Sequence, residues 1–233
     1  MTRQGNLSNP DKLGTEERLL EAAGEIFAEH GYRAATVRQI CDKAKANLAA
    51  VNYYFRDKDG LYLAVMRYLH ITATDLYPPS RGLKRGAGPE ERLRAFILSL
   101  LNRLLGDGRP SWQMKLAARE LIDPTPALDV IVEEAIRPLS QELESIVREL
   151  LGPETGAESV RLSMLSVVSQ CSFYNNSRAV ISRLYPEQTF SSQDIENLAD
   201  HITRFSLAGL RSQSMRLTKN NSKARSEQTH EMK

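Results

Sequence analysis

Apolar residues recur every three or four positions along the chain, and no alternating run of β-branched residues extends beyond a few positions. The pattern therefore predicts helices and no sheet. In the first helix, "TEERLLEAAGEIFAEHG", Leu19, Ala23, Ile26 and Phe27 share one face. Thr15 is placed to cap it, Glu16 and Glu17 suit its positive end, and Gly31 suits a left-handed stop. The second helix begins at Thr36, where "TVRQ" reads as a capping box between Thr36 and Gln39, and Ile40 and Ala44 point inward. Only Lys45 to Asn47 separate it from "LAAVNYY", which Asn47 can cap. Two short helices joined by so tight a turn must cross steeply, which makes a helix-turn-helix.

The segment "KDGLYLAVMRYLHITATDLY" continues as a long helix that Pro78 and Pro79 end, and "SRGLKRGAG" is a linker. Leu93, Phe96, Ile97, Leu100, Leu101 and Leu104 then form one stripe. Pro110 and Pro126 stand where helices start. From Pro126 a helix is expected to about Leu151, bent at Pro138, followed by helices over about 154–175 and 191–217. The tail "TKNNSKARSEQTHEMK" has almost no apolar residue and reads as disordered. The expected organisation is all-α, with a flexible arm over 1–14 and a three-helix helix-turn-helix head over 15–60. A larger helical domain over 61–217 and a basic tail over 218–233 follow.

Composition narrows the class. The chain has 233 residues, 41% hydrophobic and 26% charged. No apolar run approaches the roughly 20 residues of a membrane span, and "MTRQGNLSNPDKLG" lacks the apolar stretch of a secretory signal. Cys41 and Cys171 lie far apart, so no disulfide framework is implied and a reducing cytoplasm is the simplest setting. Cys41 falls on the inward side of the second helix, which favours burial over redox sensing. His30, His70, His201 and His230 show no metal-ligand spacing. No phosphate-binding glycine loop, nucleophile elbow or H-E-x-x-H occurs, which argues against an enzyme, and no cofactor is implied.

Charge is unevenly distributed. Thr15 to His30 carries five Glu against Arg18. Arg33 to Lys58 carries six cations, Arg33, Arg38, Lys43, Lys45, Arg56 and Lys58, against Asp42 and Asp57. A solvated surface explains such a patch as readily as a nucleic-acid face does. The third helix adds chemistry. Ala49 and Ala50 keep its leading edge slim enough for close approach to a major groove, and Asn52 can read a base edge or hold a phosphate. Tyr53, Tyr54 and Lys58 can bond phosphates, while Val51 and Phe55 are the core anchors. The alternative is a plain helical hairpin with exposed tyrosines.

The stretch from Thr15 to Met66 resembles the N-terminal domain of TetR/AcrR-family transcriptional regulators. The resemblance rests on Phe27, Gly31 and Tyr32, then "TVRQI", then Tyr54, Phe55 and Lys58. It implies an all-helical dimeric repressor, cytoplasmic in bacteria, released from a DNA operator by a small molecule in the C-terminal domain. Carried over by position, Thr36 caps its helix against a phosphate and Arg38 reaches the groove. Leu48, Ala49, Ala50 and Asn52 face bases, Asn47 opens the same face, and Tyr53, Tyr54 and Lys58 hold the backbone. Lys45 stands where the family usually has Gly, and Asn52 where it often has Tyr. The first departure costs of order 1 kcal/mol, and the second implies a different operator. The alternative function is a helical interaction module with a non-functional DNA head.

The stretches "ARELIDPTPALDVIVEEAIRPL" and "QCSFYNNSRAVISRLYP" resemble the CecR (YbiH)-like branch. The head, about fifty residues, leaves no room for a ligand. An apolar pocket is therefore expected among the helices of 90–151, lined by Phe96, Trp112, Met114 and Glu120, with Phe173, Tyr174 and Arg178 on its far side. A drug-like or amphipathic aromatic compound would suit it. Trp112 serves equally well as core, Arg119 and Glu120 as a solvated pair, and Phe173, Tyr174 and Arg178, with Gln170, as dimer packing. Val160, Met164, Val167, Cys171 and Tyr174 are spaced four, three, four and three apart. Ile195, Leu198, Ile202, Phe205 and Gly209 are spaced three, four, three and four. Such heptad-like seams suit a two-fold dimer on a palindromic operator, or else the core of one protomer.

Overall fold

The computed structural model describes residues 14–106 and 110–231, the side chains as far as Met215. The expected arm over 1–14 thus lies, except for Gly14, outside the described residues. The fold is all-α, an N-terminal helix-turn-helix followed by a larger set of helices, with no strand among the described residues.

Helix α1 (Thr15–Ala34) buries Leu19, Ala23, Ile26 and Phe27, and its regular course ends at Gly31 (φ 80°, ψ 164°). Helix α2 (Val37–Ala44) starts with the capping box: the Gln39 N–H donates to Thr36 Oγ1 (3.3 Å) and the Thr36 N–H to Gln39 Oε1 (2.9 Å). It closes as a Schellman motif, with the Ala46 N–H on the Cys41 carbonyl (3.0 Å) and the Lys45 N–H on that of Asp42 (3.4 Å). Lys45 accordingly takes the left-handed conformation (φ 50°, ψ 47°). Asn47 caps helix α3 (Leu48–Phe55) by accepting from the Ala49 N–H at 2.6 Å. Helix α4 (Lys58–Leu76) follows after two residues.

Two compact units divide the chain at Ala73/Thr74, between α5 (Pro89–Leu105) and α6 (Ser111–Ile122), and at Ile136/Arg137. The first holds more than the head expected over 15–60. It also takes α4 as far as Ala73, α6, α7 (Pro126–Ile131) and a π-helical turn over Val132–Ile136. The physical reason is core size, because a few dozen residues bury too little apolar surface alone. Trp112 and Leu116 of α6 and Ala127 and Ile131 of α7 join the same core as Leu19, Phe27, Ile40, Val51 and Leu61. The Trp112 ring lies flat against Gly24, where a Cβ would come within 2.3 Å of it. Its Nε1–H donates to Glu21 Oε2 (3.1 Å), and the Tyr68 hydroxyl donates to Glu21 Oε1 (2.9 Å).

In the second unit, α5 contributes Leu93, Phe96, Ile97, Leu101 and Leu105 to a separate core. Helices α8 (Arg137–Leu151), α9 (Ala157–Asn176) and α11 (Ser192–Glu231) pack around it. The π-turn and α8 complete the long helix expected from Pro126. Pro138 offers no N–H to the carbonyl four residues back, and the widened turn just before it accommodates that loss. The short α10 (Arg178–Leu184) was not expected. Helix α11 runs past the expected end at 217 into the stretch read as a disordered tail, whose Lys, Arg, Gln and Glu are good helix formers that need no core.

Most of the two heptad seams serves the protomer's own core. Val160, Val167, Cys171, Ile195 and Ile202 are buried there, and Met164, Tyr174 and Leu198 pack against them. Phe205, 67% exposed, and Gly209 stay outside it. A heptad fixes which residues share a face, and here α5 and α8 cover that face. Burial raises the Cys171 thiol to about 12 and lifts that of Cys41, so both stay protonated.

The left-handed Lys45 generates a stability prediction. Lys45→Gly relieves the Cβ strain and should raise unfolding free energy by about 1 kcal/mol in urea titrations. A destabilised variant would mean that the Lys side chain supports the turn.

Candidate nucleic-acid interface

Helices α2 and α3 present one continuous face. Thr36, Arg38, Asn47, Ala49 and Asn52 are exposed on it, with Leu48 at 56% and Tyr53 at 82% exposure. Tyr54 is exposed and meets the Tyr53 ring edge-on at 5.0 Å between centroids. Ala50 is half-buried against the core, while Val51 and Phe55 are buried, as expected of the anchors. Of the residues expected to face DNA, all are exposed except Ala50 and Lys58, which are half-buried.

The six cations of the patch are not equivalent. Lys43 pairs with Glu25, Arg33 lies 4.0 Å from Asp123, and Arg56 lies 3.7 Å from Asp57. Lys58 Nζ donates to the Arg33 carbonyl (3.2 Å) and sits over the Tyr32 ring, 4.7 Å from its centroid. The Tyr32 hydroxyl donates to Asp59, and that bond, with burial, pushes its pKa up to about 12. Arg38 and Lys45 remain exposed, with no ion pair among the described residues. Lys45 was noted in the sequence only as a departure at the turn; its place beside the α3 N-terminus adds it to this face.

The end of α3 is strained. The Asp57 N–H donates to the Phe55 carbonyl (2.9 Å), closing a three-residue turn about Arg56 (φ 75°, ψ −52°). Gly60 makes it possible, since a Cβ there would stand 2.0 Å from the Phe55 carbonyl oxygen.

The residues expected to line a ligand pocket are divided between the two units. Trp112, Met114 and Glu120 belong to the first unit, whereas Phe96, Phe173, Tyr174 and Arg178 belong to the second. Trp112 is core of the first unit, and Phe96 is core of the second. Phe173 is exposed, Tyr174 packs on the second core, and Arg178 lies over the Phe190 ring at 5.1 Å. Glu120 is neither lining nor a solvated partner of Arg119, being only 1% exposed. It accepts from the Tyr62 hydroxyl, the Thr125 N–H (2.8 Å) and the Thr125 hydroxyl (2.8 Å). Burial and this bond raise the Tyr62 pKa, so its hydroxyl stays a donor. Arg119 Nη1 donates to the Ala28 carbonyl (3.1 Å) near the end of α1.

Cavities occur elsewhere. One of about 530 Å³ lies in the first unit, lined by Tyr32, Phe55, Asp59, Tyr62, Leu63 and Val130 among others. Its outer wall comes from α7 and the residue just before it, outside the head expected over 15–60. Another, of about 610 Å³, lies in the second unit beside the α4–α5 linker. None of the seven expected residues lines either.

Residues 19–65 match the family described as bacterial regulatory proteins, tetR family. Residues 89–210 match the C-terminal domain of the HTH-type transcriptional dual regulator CecR. The chain belongs to the TetR family and carries a CecR-type C-terminal domain. Among relatives of this TetR-family chain, the HTH-type transcriptional repressor NicS of Pseudomonas putida is 25% identical over 205 residues, covering 84% of this chain and 92% of NicS. The dual regulator CecR of Shigella flexneri is 30% identical over 145 residues, 59% of this chain and 65% of CecR. A tetR-family regulatory protein from Rhodococcus shares the fold at TM-score 0.60 and 18% identity, covering 84% of this chain and 97% of its own. Another Rhodococcus regulator does so at TM-score 0.58 and 20% identity, covering 84% and 97%. Among the described residues of this TetR-family regulator, no helix is long and apolar enough to cross a membrane.

The buried carboxylate gives a second prediction. Glu120→Ala leaves the Tyr62 hydroxyl and the Thr125 N–H without an acceptor and should cost about 1–3 kcal/mol of stability. Glu120→Gln, which keeps a carbonyl oxygen, should cost less; equal losses in urea titrations would refute the acceptor role.

Proposed function

We propose that this TetR-family regulator is a dimeric, cytoplasmic repressor that binds a palindromic operator and leaves it when a small molecule occupies the C-terminal domain. DNA reading is assigned to residues 15–60, ligand binding and dimerisation to 61–217. The observation that carries the reading is the exposed face of Leu48, Ala49, Asn52, Tyr53 and Tyr54 next to the ion-pair-free Arg38 and Lys45. A slim helix bordered by such cations suits a major groove between two phosphate ridges. Lys58, already bonded to the Arg33 carbonyl, serves better as a brace of the head, and Lys45 takes the phosphate role expected of it. The Schellman bonds formed at Lys45 favour a working head over a helical module that has lost DNA binding. NicS is named a repressor and supports that direction of control.

Dimerisation is assigned to the outer sides of α9 and α11. These helices lie antiparallel, joined by Ser163 Oγ to Gln213 Oε1 (3.0 Å) and Gln170 Nε2 to Ser206 Oγ (3.1 Å). Leu162, Leu165 and Phe173 on α9 and Phe205 on α11 are more than half exposed, with Gly209 one turn beyond Phe205. A second copy would cover this apolar surface and place two α3 helices on one side of a duplex.

Footprinting of the DNA upstream of the gene should show a protected palindrome. On that site, Arg38→Ala should lose roughly 1–3 kcal/mol, about tenfold to a hundredfold in affinity, and relax base preference at one position per half-site. Unchanged binding would remove Arg38 from the interface. In sedimentation, the double change Leu165→Glu and Phe205→Glu should turn a dimer into a folded monomer. A parent that is monomeric at micromolar concentration would contradict the assembly.

A further inference from the structure

The cavity of the second unit lies where the sequence suggested only a linker. Its floor is apolar, formed by Pro78, Leu83, Ala95 and Leu98. Its volume of about 610 Å³ falls in the range of small-molecule sites, roughly 300–1,000 Å³.

The charges around it are sorted. On the helix side, Arg94 donates Nε to Asp200 (2.6 Å) and Nη2 to Glu196 (2.7 Å), so its guanidinium is held by two carboxylates and that wall offers no free cation. Glu91 is engaged by the Gly88 N–H (3.2 Å) at the start of α5. On the linker side stand Arg81 and Lys84, both exposed and neither in an ion pair among the described residues. One edge is thus cationic above an apolar floor. A guanidinium fork matches the two oxygens of a carboxylate, and a neighbouring ammonium adds a point charge.

Arg81 also touches the regulatory axis. Its Nη1 donates to the carbonyl of Leu76 (2.9 Å), the last residue of α4, and α4 begins two residues after α3 ends. A ligand that recruits Arg81 competes with that cap.

We infer that this cavity is an effector site for an amphipathic monocarboxylate, its head on Arg81 and Lys84 and its chain on Leu83, Ala95 and Leu98. The effector role rests on the regulator reading above; the binding site does not.

Octanoate and octylamine, equal in chain length and opposite in charge, separate the possibilities by calorimetry on the full chain. Octanoate should bind one per chain and octylamine should not. Affinity for octanoate should fall at least tenfold in the double variant Arg81→Gln, Lys84→Gln, whose exposed side chains do not carry the fold. It should vanish in Ala95→Trp, which fills the floor, with helical content confirming that the variant is folded. No octanoate binding by the parent, octanoate binding unchanged in both variants, or octylamine binding as tightly, would overturn the site. Octanoate should also release labelled operator DNA from the parent and not from the double variant; binding without release would overturn the effector role. A chain that binds no operator even without octanoate would refute the regulator reading instead, and calorimetry would still decide the site.

Discussion

The head of this protein cannot close its own core, and the docking of α6 onto α1 follows from that. Helices α2 and α3 have only eight residues each, and the apolar faces of α1 to α3 meet around Phe27, Ile40 and Val51 with too little partner surface. Trp112 supplies it by lying on Gly24, where the missing Cβ lets the ring approach the backbone. The polar groups at the contact fix its register. Glu21 takes the indole N–H, Arg119 takes the Ala28 carbonyl, and Glu120 takes Tyr62 and Thr125. Buried groups of this kind cost free energy when unpaired, so α6 has few alternative seats.

Two consequences reach function. The α2–α3 face is carried by a unit that includes α6 and α7 and shares one core with them. The strained turn at Arg56 joins α3 to α4 with only two residues between them, which makes the position of α3 sensitive to α4. A ligand shifts such an equilibrium only by binding the DNA-incompetent arrangement more tightly.

Local signals were legible in the sequence. The Thr36–Gln39 box, the Asn47 cap, the end at Gly31 and the disturbance at Pro138 each depend on residues within one helical turn. The exposure of Leu48, Ala49, Asn52 and Tyr53 was legible for the same reason, because exposure on a short helix follows from which positions must anchor it. Long-range choices were not legible. Nothing local to Trp112 says that it meets Gly24, 88 positions earlier, rather than a ligand. The buried face of α9 and the first half of that of α11 follow their heptad spacing, but a heptad does not say whether the same chain or a second copy covers them. The Phe205 side differs from the Ile202 side only in what α5 and α8 leave exposed. Lys58 looked like a free cation because its acceptor, the Arg33 carbonyl, is a backbone atom that no side-chain pattern reveals.

The central claim is that the α2–α3 face reads DNA through phosphate contacts as well as base edges. The salt dependence of operator affinity tests it most directly, because each neutralised phosphate releases counterions. Log affinity should fall straight and steeply with log salt, and the slope should be shallower when Lys45 is changed to Gln. A slope near zero, or one that Lys45→Gln leaves untouched, would contradict it.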